Sequence, residues 1–144
     1  MSKSDTDDLI AGILETVATI AMVGASNKPE RPSYQVMEFL QKHGYKVIPV
    51  NPGQAGGEIL GETVYASLAD APGSYDMVDI FRASEAAGEV TREAIRLSVD
   101  KGISVVWMQL DITNNKAKHE AEDAGLVVVQ NRCPKKEIER LGLS

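Results

Sequence analysis

The chain has 144 residues, 43% of them hydrophobic and 25% charged, with a formal net charge of −6. That size fits one domain, residues 1–144, able to bury roughly two-thirds of its unfolded surface, and the composition is that of a globular protein. The acidic balance excludes a generally basic face for nucleic acid or anionic membranes, so a polyanionic ligand must meet a local cationic cluster.

After a polar start, Leu9, Ile10, Ile13, Leu14 and Val17 recur at helical spacing, with Asp5, Asp7 and Asp8 where the helix dipole favours carboxylates. Thr19 to Gly24 reads as a strand, continuously apolar as a strand buried on both faces must be. A helix from Ser33 to His43 carries Val36, Met37 and Leu40 inward and stops at Gly44. Tyr45 to Val50 is the second strand, broken by Asn51-Pro52-Gly53. The glycine-rich segment from Gly53 to Gly61 is expected to be an exposed loop. Val64 to Leu68 is expected as a short strand or turn, followed by a brief helix around Leu68 to Ala71.

Asp76 to Phe81 is a further strand, interrupted by the polar Asp79. A helix from Ser84, its expected cap, to Lys101 buries Ala87, Val90, Ala94 and Leu97 and ends at Gly102. Ile103 to Met108 is a strand, Asn114 to Ala124 a small helix, Leu126 to Val129 the last strand and Pro134 to Leu141 a terminal helix. This alternation predicts an α/β fold, a three-layer Rossmann-like doubly wound parallel sheet. In such sheets ligands bind beyond the carboxyl ends of the strands, where the strand order reverses. The tips there are Gly24 to Ser26, Asn51 to Pro52, Phe81 to Ser84, and Met108 to Asp111.

The first tip carries the strongest chemistry. An apolar strand stops at Gly24 and passes through Ala25, Ser26, Lys28 and Arg31 into a helix. Unpaired N–H groups at a helix start, with its positive dipole end, stabilise an anion such as a phosphate. Lys28 supplies a point charge there and Arg31 a planar fork suited to phosphate oxygens. Both are also of the kind that commonly sit solvated in loops, and Gly24 also fits a bare strand-to-helix turn. The Gly-x-Gly-x-x-Gly of dinucleotide enzymes is absent, as is the Gly-Lys-Ser/Thr of nucleoside triphosphatases. Asn51 stands where nicotinamide enzymes place a carboxylate for the ribose hydroxyls. A neutral amide suits a 3′-phosphorylated ribose, which a carboxylate would repel.

The blocks Val23-Gly-Ala-Ser26, Arg31-Pro-Ser-Tyr34, Val47-Ile-Pro-Val-Asn-Pro52, Val78-Asp-Ile-Phe-Arg82 and Val106-Trp-Met-Gln-Leu110 resemble the single-domain CoA-binding proteins of bacteria and archaea. Gly44-Tyr45 and Arg132-Cys133 also match, so the resemblance runs from about Thr19 to Cys133. That family is similar in fold to the CoA-binding domain of the succinyl-CoA synthetase α subunit. The resemblance implies coenzyme A, or an acyl-CoA, as ligand. Gly24, Ala25, Ser26, Lys28, Arg31, Ser33 and Tyr34 would hold its phosphates, and Val50, Asn51 and Pro52 would border its adenosine. Phe81 and Arg82 would line the adjoining wall, and Trp107 to Gln109 would lie along the pantetheine. The chain departs from the family pattern at Asp111, commonly glycine, and at Asn131, commonly aspartate.

No catalytic or metal-binding residue is expected. His43 and His119 fall on polar helical surface, away from every strand tip, and no paired carboxylates or metal-ligand spacings stand out. Trp107, inside an apolar strand, reads as core, and Cys133 reads as structural in the absence of a base. Arg82 either faces the ligand or pairs with Asp79 or a surface carboxylate. One cysteine excludes an internal disulfide, and the apolar runs are too short for a membrane span. With no secretory pattern at the start, a cytoplasmic address is expected. The expected function is non-catalytic binding of CoA or a short acyl-CoA. An NAD(P)-dependent oxidoreductase and a regulatory interaction module of an acyl-CoA ligase or acyltransferase system are the alternatives, and any protein partner is unknown.

Overall fold

The computed structural model describes residues 5–143. Helix α1 (Asp5–Thr16) leads into β1 (Thr19–Val23), α2 (Pro32–Lys42) and β2 (Lys46–Val50). A single 3-10 turn, Pro52–Gln54, and a small antiparallel hairpin of β3 (Glu58–Ile59) and β4 (Glu62–Thr63) follow. Then come β5 (Met77–Ile80), α3 (Ser84–Lys101), β6 (Val105–Met108), α4 (Asn115–Asp123), β7 (Val127–Val129) and α5 (Pro134–Arg140). The main sheet is parallel throughout, in the order β2-β1-β5-β6-β7. This is the expected Rossmann-like three-layer fold.

Strand alternation decides which residues meet which helices. Ile20, Met22, Met77, Val105 and Trp107 point to the layer formed by α1, α2 and α5. Ala21, Val23, Val78, Ile80, Val106 and Met108 point to α3 and α4, which approach closely through Ala87, Ala94, Ala117 and Ala121. Trp107 is core, as expected, and its indole N–H donates to the Arg132 carbonyl at 2.8 Å.

Several local expectations are corrected. Leu9 lies on the outer side of α1, 45% exposed. The Gly53–Gly61 segment, expected as an exposed loop, contains β3 and the turn into β4, and its Ile59 is buried against the core. Residues around Leu68 to Ala71 form turns and no helix, while Tyr65 makes one parallel bridge to Val50. Ser84 is the first residue of α3 and not its cap; Ala83 is the cap, and the Ser84 hydroxyl accepts from the Thr113 N–H at 3.1 Å. Among the described residues no helix is long and apolar enough to cross a membrane.

Candidate functional site

Strand order reverses between β1 and β5: the chain leaves β1 for β2 on one side and returns to β5 on the other. Three adjoining cavities open at these tips, and Phe81 lines all of them. Gly24 sets the geometry. Its φ is +89°, its N–H donates to the Val50 carbonyl at 2.9 Å, and the Phe81 N–H donates to the Val23 carbonyl at 2.8 Å. A Cβ at Gly24 would come within 2.9 Å of the Phe81 carbonyl carbon, so only glycine fits between the two strand tips.

The first cavity, about 350 Å³, is bounded by Gly24, Ala25, Ser26, Lys28, Arg31 and Ser33, with Gln54 across from them. Arg31 caps α2 in an extended conformation, Pro32 opens the helix, and no side chain satisfies the first-turn donors. The Ser26 hydroxyl accepts from the Lys28 N–H at 3.1 Å, which folds the loop back on itself. Asn51 clamps the two tips: its amide donates to the Ala25 carbonyl at 2.8 Å and accepts from the Gly53 N–H at 2.8 Å. Gln54 accepts from the Asn27 N–H at 3.1 Å. Lys28, Arg31 and Arg82 are exposed, and none forms an ion pair within the described residues. Three free cations thus surround a helix start on a chain of net charge −6.

The second cavity, about 360 Å³, lies beside Asn51, Pro52, Gly53 and Arg82. The third, about 500 Å³, runs between the start of α2 and the start of α5, with Val36, Phe81, Leu110 and Ile112 as apolar wall and Gln109 and Cys133 among its inner residues. Lys135, Lys136, Arg82 and Asp111 bring charge to it. Asp111 has φ +67° and Asn131 φ +57°; the Asp111 N–H donates to the Asn131 side-chain oxygen at 2.7 Å. The two departures from the family pattern are therefore in direct contact: the Asn131 side chain accepts from the Asp111 backbone.

Of the expected site residues, Gly24, Ala25, Ser26, Lys28, Arg31, Ser33, Asn51, Pro52, Phe81, Arg82 and Gln109 line these cavities. Tyr34 and Val50 do not. Tyr34 packs against the core under α2, and Val50 buries its side chain on the opposite face, contributing only its carbonyl to Gly24. Asp79 forms no pair with Arg82. It is fully buried with neither carboxylate oxygen partnered, and burial pushes its pKa up to about 8.

Reasoning from sequence missed Gln54, Val36 and Lys136. Gln54 sits in a glycine-rich stretch that carries no signal. The pair Lys135-Lys136 was readable, since cations in a first helical turn oppose the dipole and call for another reason.

A larger cavity, about 630 Å³, lies at the other end of the sheet among Glu15, Val17, His43, Tyr45 and Leu143. No lysine or arginine lines it, so the strand carboxyl ends, which carry Lys28, Arg31 and Arg82, are the stronger candidate site for an anion.

With this geometry in place, the comparisons are specific. The sequence profile of the CoA binding domain matches residues 18–139, and the chain belongs to that family. It is 34% identical over 126 residues to the uncharacterized protein YneT of Bacillus subtilis, covering 88% of this chain and 89% of that one. A hypothetical protein from Pyrococcus horikoshii OT3 superposes with a TM-score of 0.87 at 41% identity, covering 98% of this chain and 99% of that one. The α subunit of an ADP-forming acetate–CoA ligase from Pyrococcus furiosus is 30% identical over 105 residues, 72% of this chain and 22% of that subunit.

Proposed function

We propose that this chain binds coenzyme A or a short acyl-CoA non-covalently and performs no chemistry of its own. One observation carries the reading. Unpaired Lys28 and Arg31 face an uncapped helix start whose cavity continues past Phe81 into a larger, half-apolar one. A ligand with an anionic head and a long arm that alternates amide and apolar groups matches that sequence of surfaces. The phosphates meet Lys28, Arg31 and the α2 donors, the adenosine lies by Asn51 and Pro52, and the pantetheine arm passes Phe81 toward Gln109.

No histidine lines the path proposed for the arm: His43, exposed and stacked on Phe39 with ring centroids 4.1 Å apart, borders the cavity at the other end of the sheet, and His119 lies exposed on α4. The single glycine and the neutral Asn51 count against a nicotinamide dinucleotide. The match to part of an acetate–CoA ligase subunit favours one second reading, an accessory module docking on an acyl-CoA ligase.

The test is calorimetric titration of CoA and its 3′-dephospho form into wild type and into Lys28→Ala/Arg31→Ala. Two lost charge-assisted contacts, roughly 1.5–3 kcal/mol each before solvent screening, predict at least a tenfold loss of CoA affinity. Wild-type affinity should also fall as salt rises, because these charges are exposed. Unchanged CoA retention by the double variant refutes the phosphate assignment, and a stable ligase complex indifferent to nucleotides supports the second reading.

A further inference from the structure

Among the described residues two buried side chains have oxygens without a hydrogen-bond partner: both carboxylate oxygens of Asp79 and the side-chain oxygen of Gln109. Asp79 is 0% and Gln109 6% exposed. They share a sheet face. Asp79 follows Met77 by two residues and pairs in register with Trp107, and Met77 and Trp107 both point to the α1, α2 and α5 layer. Gln109 continues β6 two residues beyond Trp107, its N–H donating to the Ile80 carbonyl at 3.2 Å, and its side chain lines the 500 Å³ cavity beside Val36 and Cys133. Asp79 and Gln109 are therefore diagonal neighbours on one face of adjacent parallel strands; no direct hydrogen bond joins them in this structure, and a side-chain rotation or one bridging water completes the link.

A primary amide has one accepting end and one donating end. Whichever end turns inward to the carboxyl group, the other is offered to the cavity. A neutral Asp79 carries an O–H that only the amide oxygen can accept, so it permits the NH₂ group to face outward. An ionised Asp79 can only accept, which draws the NH₂ group inward and leaves the oxygen outward. The buried atom of Gln109 is its oxygen, an arrangement that a neutral Asp79 permits and an ionised one opposes.

We propose that Gln109 recognises the carbonyl of an acyl thioester in the third cavity, and that a neutral Asp79 is the positioning residue that holds its NH₂ group toward that ligand. This rests on the CoA reading above and narrows it: the preferred ligand is an acyl-CoA over any form without a carbonyl at the sulfur. Burial raises the Asp79 pKa to about 8, which favours the neutral carboxyl group at pH 6.5 and the ionised one at pH 9. The titratable side chains packed into the core on this face are Tyr34 on α2, Tyr45 before β2 and Cys133 before α5, and the buried Glu137 on α5 is held by Arg132 and Arg140; the other ionisable residues of α1, α2 and α5, Glu15 and Glu38 among them, lie outside that core. None contributes to the shift of Asp79, whose cause is burial. Lys135, Lys136, Arg82 and Asp111 act at the cavity itself.

Acetyl-CoA and S-ethyl-CoA are the probes, since they match in size, neither has a titrating thiol, and only one has the carbonyl. Calorimetric titration of the full chain at pH 6.5 should show acetyl-CoA bound about two- to tenfold tighter, the range of one hydrogen bond. At pH 9 that preference should fall to one or below. Asp79→Asn, whose amide still donates inward, should keep the preference at both pH values, and Gln109→Leu should lose it at both. Equal binding of the two probes by wild type at pH 6.5 overturns the proposal, with no variant needed. A wild-type preference unchanged at pH 9 overturns the role of Asp79. If CoA and both probes all fail to bind, the CoA reading itself falls; if CoA binds and the probes do not differ, only this inference does.

Discussion

Replacing Gly24 with alanine puts a methyl carbon 2.9 Å from the Phe81 carbonyl carbon and closer still to its oxygen, on a backbone at φ +89°. Two costs add. A left-handed conformation costs a non-glycine residue roughly 1–2 kcal/mol, and overpacking against a fixed neighbour costs roughly 1–3 kcal/mol more. The neighbour cannot simply retreat, because the Phe81 N–H is bonded to the Val23 carbonyl at 2.8 Å. A total of about 2–5 kcal/mol corresponds to a melting point lower by about 5–15 °C for a domain of this size. Gly44→Ala is the control. Gly44 has φ +92° and nothing within 4 Å of a Cβ, so it incurs only the first cost. Urea unfolding of both variants separates the terms. Equal destabilisation of the two would refute the claim that close approach of β1 and β5 is what requires glycine here. CoA affinity should fall only in the Gly24 variant, since Phe81 walls all three cavities.

Asp79→Asn should flatten the pH dependence of stability. The folded carboxyl keeps its proton up to about pH 8, whereas the unfolded one releases it near 3.8. Wild-type stability from this group is therefore fully present below about pH 4 and declines by roughly 1.4 kcal/mol per pH unit up to pH 8. Urea curves at pH 5 and 8 should show a wild-type loss that the variant lacks; parallel behaviour would contradict the buried neutral acid. Asn114→Ala removes the N-cap of α4, where the side-chain oxygen accepts from the Ala117 N–H at 3.0 Å and the NH₂ group reaches the Ser84 carbonyl at 3.0 Å. A loss of about 1–2 kcal/mol is expected, read by thermal unfolding. Asp111→Gly relieves a φ of +67° but loosens the unfolded chain, so stability should change by less than about 1 kcal/mol. The same change removes a carboxylate from the third cavity, and CoA should bind more tightly at low salt with the gain fading as salt is added.

Much of the site was legible because a parallel α/β sheet sends every strand tip to one edge. Once Val23-Gly24, Val50-Asn51, Phe81 and Met108-Gln109 are recognised as strand ends, their convergence follows. The roles inside that edge were less legible. Asn51 was read as a neutral neighbour for a phosphorylated ribose, and it is also the clamp that holds the Ala25 carbonyl. Val50 and Tyr34 belong to matching blocks, yet alternation and helix rotation turn their side chains into the core. The β3–β4 hairpin was missed because two-residue strands have no period to detect; it is held together by pairing across the Leu60-Gly61 turn.

From residue order alone came the α/β alternation, the cationic first loop and the absence of a dinucleotide glycine pattern, because periodicity, charge and turn chemistry are local properties of a chain. Folding decided that β5 lies against β1, that Asp79 and Gln109 share a sheet face with buried oxygens unpartnered, and that Asp111 leans on Asn131 from 20 positions away. Those relations depend on strand order and on which side of the sheet each side chain points, and they exist only once distant segments are packed together.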